Sequence, residues 1–275
     1  MSLPIGTNVR QPKFENASEI FKRVKEELRN RPPGIAFSFG IPSLDAATQG
    51  IPKGKVSILA ARTTEGKTSL ALQMAVTMGL AGKTVAFVSL EDDRDSLITR
   101  IYCQQTRTNI DALVPGKVLD DLPILERIKL LVLDNYGFNF SELETIMQTL
   151  DPAPDIIFLD YVQMAEQWKT ESEYEAVSRF VRQAKLFAEK HAIGMVLMSQ
   201  INRQGARDGR PALHHLASCG RLEQVSNLIL LMFAPYYYGT PSFDYSQEQR
   251  TGLCPCPEDY VEVEIAKNKT GRRSI

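Results

Sequence analysis

Short runs that are apolar at almost every position alternate along this chain with longer stretches whose apolar residues recur every three or four. The short runs cover residues 56–60, 85–90, 130–133, 156–160, 195–199, 228–233 and 261–266. Successive side chains of a strand point to opposite faces, so a strand apolar almost throughout must be covered on both. The longer stretches predict helices. One spans 67–81, with Leu70, Ala71, Met74, Ala75, Met78 and Leu80 as its apolar positions. Others run from the end of the second strand to about residue 105, over 141–150, where Asp151-Pro152 ends the pattern, and over 172–190. Strands of this kind alternating with helices predict an α/β fold: a mostly parallel central sheet with helices on both faces. Residues 236–259, with their Pro, Gly and Ser, read as an excursion between the last two strands.

A separate segment precedes this pattern. Residues 1–14 read as an unstructured lead, and a helix is predicted over 17–30. Asn16 stands at its cap, and Glu19 three residues on occupies the capping-box position. Ile20, Phe21, Val24 and Leu28 form one stripe at helical spacing, and Arg31-Pro32-Pro33-Gly34 ends the helix. We divide the chain into residues 1–33 and 34–275. The stripe packs either on its own domain or on a neighbouring subunit.

Composition narrows the function classes. The 275 residues are 43% hydrophobic and 24% charged, which excludes wholesale disorder. Lys and Arg number 32 against 33 Asp and Glu. That balance excludes a globally basic nucleic-acid coat but not a local basic channel. Cys103, Cys219, Cys254 and Cys256 form no CxxC pair, and only three histidines are present, so no zinc signature appears. Free thiols, no signal peptide and no apolar run near the ~18 residues of a membrane span point to the cytoplasm.

The chemistry-bearing motif lies where a strand gives way to a helix. Residues 61–68 read Ala-Arg-Thr-Thr-Glu-Gly-Lys-Thr, the spacing of a phosphate-binding P-loop with Ala61 in place of its first glycine. Backbone N–H groups and a helix N-terminus make an anion nest there. Gly66 permits close approach of phosphate, Lys67 supplies a point charge, and the Thr68 hydroxyl can ligate Mg²⁺. The candidate nucleotide-binding residues are therefore Ala61, Arg62, Thr63, Thr64, Glu65, Gly66, Lys67, Thr68 and Ser69. Asp160 joins them as the carboxylate ending an apolar strand, the Walker B form and the second anchor for Mg²⁺. Glu91 ends the strand after the P-loop helix and is the candidate catalytic base. Asp92 and Asp93 beside it suit a helix N-terminus. Gln200 ends another strand, where an amide can bond a γ-phosphate and report its loss.

With these segments in hand, the chain resembles the C-terminal motor domain of DnaB-type replicative helicases, a RecA-like P-loop NTPase. Ala60-Ala61-Arg62 before Gly66-Lys67-Thr68 is similar to that family's P-loop. Ser89-Leu90-Glu91 is similar to the strand bearing its glutamate, and Asp160-Tyr161-Val162-Gln163 to its Walker B segment. Ser199-Gln200-Ile201-Asn202-Arg203 resembles its sensor segment. Gly220 to Gln224 and Ala266 to Gly271 resemble two further family segments. The resemblance implies ATP and Mg²⁺ as cofactors, a hexameric ring with ATP at subunit interfaces, and translocation on single-stranded DNA. It implies that Lys267 and Lys269 reach a neighbour's γ-phosphate, and that the 17–30 helix docks on the adjacent subunit. Two loops would face the channel, 164–173 with Trp168 and 203–219 with Arg203, Arg207 and Arg210 as DNA contacts. A helicase loader or primase is a further candidate partner.

The chain also departs from the family. Where Asp-Leu-Arg-Glu-Ser-Gly is usual, it reads His215-Leu216-Ala217-Ser218-Cys219-Gly220. Lys269 replaces an arginine and cannot make its planar fork. The family's N-terminal primase-contacting domain and its last strands have no counterpart in this sequence. Two readings follow: an ATP-driven helicase motor, and a RecA- or KaiC-like regulatory or loader ATPase that binds nucleotide and partners without unwinding. A remnant without turnover is a third, and the full set of Lys67, Thr68, Glu91, Asp160 and Gln200 speaks against it.

Overall fold

A computed structural model describes residues 16–30, 37–113, 119–134, 139–160, 173–201, 210–216, 219–238, 242–243, 253–254 and 260–269. The chain divides into two compact units, Met1–Gly34 and Ile35–Ile275.

The first unit carries helix α1 (Ala17–Asn30). The Asn16 side chain accepts the Ser18 N–H at 2.9 Å, and its carbonyl accepts those of Glu19 and Ile20 at 3.0 Å each. Of the apolar stripe, Ile20, Phe21 and Val24 are exposed.

The second unit is built on a seven-stranded sheet. Its strands are β1 (Val56–Ala61), β2 (Thr84–Ser89), β3 (Lys129–Asp134), β4 (Ile156–Asp160), β5 (Gly194–Gln200), β6 (Leu228–Phe233) and β9 (Glu262–Asn268). They lie in the order β3-β2-β4-β5-β1-β6-β9. Every neighbouring pair is parallel except β6 with β9. β7 (Ser242–Phe243) and β8 (Leu253–Cys254) pair antiparallel within the 236–259 excursion.

The two-face burial expected from the strands is realised as two cores. Val56, Ile58 and Ala60 of β1 face a cluster with α6 (Phe140–Thr149), α7 (Glu173–His191) and α8 (Cys219–Val225). Leu59 and Ala61 face the opposite cluster with α3 (Lys67–Leu80) and α4 (Arg94–Thr106). Successive residues of one strand thus feed different cores, which is why its sequence is apolar at every position but Ser57. α3 packs closely enough on its neighbours to require a small residue: a Cβ on Gly79 would meet Ile128 at 2.8 Å. The loop entering the sheet is fixed by Asp45 in α2 (Pro42–Thr48), whose carboxylate accepts the Ser38 hydroxyl at 2.6 Å and the Phe39 N–H at 2.8 Å.

The larger predicted strands and helices are present, with ends shifted by a residue or two. α2, α5 (Pro123–Arg127) and α8 were not anticipated, because five to seven residues are too few to show a helical period.

Candidate nucleotide site

Parallel ladders bring the carboxyl ends of several strands to one edge. Ala61 is in register with Gln200, and Ser89 with both Asp160 and Asp134. Ligands of open α/β sheets bind at this edge. The P-loop leaves β1 there and turns into α3. Thr64 takes φ 67° and Gly66 φ 84°. A Cβ on Gly66 would meet nothing within 4 Å, so its backbone angle, rather than lack of space, is what calls for glycine.

Beneath the loop, Asp160 joins two P-loop side chains. Its carboxylate accepts Lys67 Nζ at 2.6 Å and the Thr68 hydroxyl at 2.6 Å. Asp160 is 1% exposed, so this carboxylate is fully withdrawn from water and compensated by the ammonium. A carboxylate and a hydroxyl oxygen beside each other are the hard donors Mg²⁺ prefers, and Mg²⁺ typically needs only one or two protein ligands beside phosphate oxygens. Thr68 and Asp160 therefore fit that ion. No group of three or more His, Cys, Asp or Glu poised to hold a metal occurs among the described residues.

Glu91 lies just beyond β2. Its carboxyl is held above the usual carboxylate range, first by desolvation, then by the negative Asp160 and Asp92, against the pull of Lys67 and Arg100. Asp92 pairs with Arg100 at 3.4 Å, and Asp93 caps α4 by accepting the Ser96 N–H at 2.8 Å. These neighbours serve α4, which leaves Glu91 as the acid sensing both Asp160 and Lys67. Gln200 donates from its amide to the Thr63 hydroxyl, tying the end of β5 to the P-loop.

Two of the remaining expected site residues lie apart from this cluster. Lys267 and Lys269 sit at the far end of β9, on the edge of the sheet. Lys267 donates to the Glu223 carbonyl and Lys269 to that of Gln224 at 3.2 Å, both in α8. Arg210 makes a two-pronged pair with Glu262, at 2.8 and 2.9 Å, and its guanidinium lies 5.3 Å from the Phe233 ring centre. These contacts give it a role inside the fold. Arg203, Arg207, Trp168 and most of the 164–173 loop lie outside the described residues.

Sequence reasoning missed a buried pair inside the loop itself. Arg62 and Glu65 have side chains 5% and 1% exposed. The guanidinium lies 4.3 Å from the ring centre of Tyr238, in the short helical turn Pro235–Tyr238. The signal was present as opposite charges three apart inside the motif.

Residues 36–275 match the DnaB-like helicase C terminal domain. This chain belongs to that family. Among its relatives are a probable plasmid replicative DNA helicase of Chlamydia psittaci, 28% identical over 84% of this chain and 51% of that one, and the replicative DNA helicase DnaB of Helicobacter pylori, 27% identical over 82% and 50%. The replicative helicase DnaC of Bacillus subtilis is 25% identical over 94% of this chain and 58% of that one. The chain spans about half the length of the curated relatives it matches. Its fold superimposes on the ATPase domain of G40P with a TM-score of 0.76, at 24% identity over 95% of this chain and 94% of that one. A DnaB-like replicative helicase solved with its primase interactions gives 0.75, at 23% identity over 95% and 64%. The DnaB-like chain thus has the RecA-like sheet expected of it. No helix among its described residues is long and apolar enough to cross a membrane.

Proposed function

We propose that this chain is the ATP-hydrolysing motor domain of a cytoplasmic replicative DNA helicase that moves along single-stranded DNA as a ring, hexameric as its family resemblance implies. The observation carrying the reading is the Lys67–Asp160–Thr68 cluster at the P-loop, with Glu91 near enough to feel the charges of Asp160 and Lys67. Backbone N–H groups of residues 61–69 bind the phosphates, and Lys67 offsets their charge. A Mg²⁺ held by Thr68 and Asp160 would supply positive charge against the phosphates. Glu91, ionised, orients a water and takes its proton. Gln200, tied to Thr63, links the P-loop to the chain that follows β5.

Lys267 and Lys269 act on nucleotide held by another copy. Single-stranded DNA and further copies of the chain are the proposed partners, with Arg203 and Arg207 as DNA contacts. A loader or a primase is a proposed partner of the longer protein, in keeping with the primase interactions of the solved DnaB-like relative.

The test is steady-state ATP hydrolysis with and without single-stranded DNA, beside a Glu91→Gln control. Stimulation by DNA that vanishes in the variant is expected. Hydrolysis indifferent to DNA would move the chain to the regulatory class, and failure to bind ATP would end the nucleotide reading.

A further inference from the structure

Arg62 and Glu65 hold the P-loop closed on itself. The Arg62 N–H donates to the Glu65 carboxylate at 3.3 Å, and the Glu65 N–H to the Arg62 carbonyl at 3.5 Å. Their charged groups approach to 3.8 Å. Taking two charges out of water is costly unless further bonds complete the pair. Tyr238 offers them: its hydroxyl faces both the Glu65 carboxylate and the Arg62 guanidinium as a hydrogen-bonding partner, and the Ala234 backbone also faces Glu65, while Glu65 Oε1 stays without a hydrogen bond. The Tyr238 ring lies under the guanidinium, and Phe233 stacks on Tyr238 at 5.4 Å and 15°. A desolvated guanidinium over an aromatic face is among the stronger contacts of its kind.

The closed loop includes Thr64 at positive φ and leads into Gly66, the residues that shape the phosphate nest. The nest binds by backbone N–H groups, so its affinity depends on holding this conformation before phosphate arrives. We propose that Tyr238 is a positioning residue for nucleotide binding, locking the P-loop in its phosphate-binding shape through the buried Arg62–Glu65 pair. The proposal rests on the nucleotide-site reading above and adds a residue some 170 positions beyond the motif that the P-loop pattern does not contain. Burial keeps the Glu65 carboxyl above the usual range even with these bonds, as expected of a charge dependent on a few partners.

The experiment compares wild type, Tyr238→Phe and Tyr238→Ala. Calorimetry gives the affinity for ATP with Mg²⁺, steady-state assays give KM and kcat, and melting without nucleotide checks the fold. Tyr238→Phe keeps the ring and loses the hydroxyl. Losing a hydrogen bond to a buried charge is expected to weaken ATP affinity and raise KM about tenfold. kcat should stay near wild type, because the loop binds ground and transition states alike. Tyr238→Ala should raise KM further. Unchanged KM and affinity in Tyr238→Phe would overturn the proposal, as would a loss confined to kcat or matched by a large drop in melting temperature. Wild type failing to bind ATP would sink the nucleotide reading itself, a result distinct from a wild type that binds and a variant that equals it.

Discussion

Lys67 and Lys267 stand at different levels of the same sheet. Lys67 opens the helix that follows β1, whereas Lys267 pairs with Ile229 and, through it, lies level with Ile58 inside β1. The Lys269 N–H bonds the Asn227 carbonyl, and the Asn227 N–H bonds that of Val56, at the strand's beginning. Five residues of strand, about 17 Å, separate that level from the P-loop edge. Lys269 is thus placed away from its own P-loop, and the proposed function has both lysines act on nucleotide held by another copy. Lys67→Ala and a Lys267→Ala/Lys269→Ala double variant should each lose hydrolysis, and mixing them should restore a measurable part of it. A mixture as inactive as its components would show that the lysines do not act across copies.

The raised Glu91 carboxyl gives hydrolysis a pH dependence. A base must be ionised, so the rate should fall as pH drops through a value above that of an ordinary glutamate. Glu91→Gln should lower kcat by about 10²–10⁴-fold, remove that acid limb and leave ATP affinity near wild type. The stability sign runs the other way. A carboxyl raised in the folded state binds its proton more tightly there, so its ionisation destabilises the fold as pH rises. The variant should therefore melt no lower than wild type at neutral pH. A rate profile retaining the acid limb in Glu91→Gln would assign it to another group.

The sheet was legible because burial on both faces suppresses alternation, and Val56, Ile58 and Ala60 against Leu59 and Ala61 show the two cores that demand it. The P-loop was legible because its chemistry is local in sequence. Strand order was not, since β5 enters between β1 and β4 and nothing in either strand announces its neighbour. The pairing of Arg210 with Glu262 and of Arg62 with Tyr238 joins residues far apart in the chain, and only their spatial placement shows that these charges are committed within the fold.

Gly194 opens β5 against the ring of Phe37. A Cβ there would meet two carbons of that ring at 2.8 and 3.1 Å and Ile156 at 3.2 Å. Phe37 is 3% exposed and lies in the core, so it has little room to retreat. Gly194→Ala should destabilise the chain by about 1–3 kcal/mol, the usual result of overpacking. Urea unfolding measures it; a midpoint equal to wild type would mean that the Phe37 ring shifts freely.

Arg210 separates a fold contact from a DNA contact by salt dependence. Its guanidinium is bonded twice to Glu262 of β9 and lies beside Phe233, which also stacks on the Tyr238 ring. Removing it should leave Glu262 without that partner, with Glu264 nearby already raised by burial and by the Glu262 charge. Arg210→Ala is therefore expected to lower stability by about 1–2 kcal/mol, the scale of a lost bond to a charged group in a half-buried setting. A phosphate contact would behave differently, because each one neutralised on a single strand contributes about 0.7 to the slope of log affinity against log salt. Affinity for single-stranded DNA, measured at several salt concentrations, should keep its slope in Arg210→Ala. A slope reduced by about that amount would show that Arg210 leaves Glu262 to meet the nucleic acid.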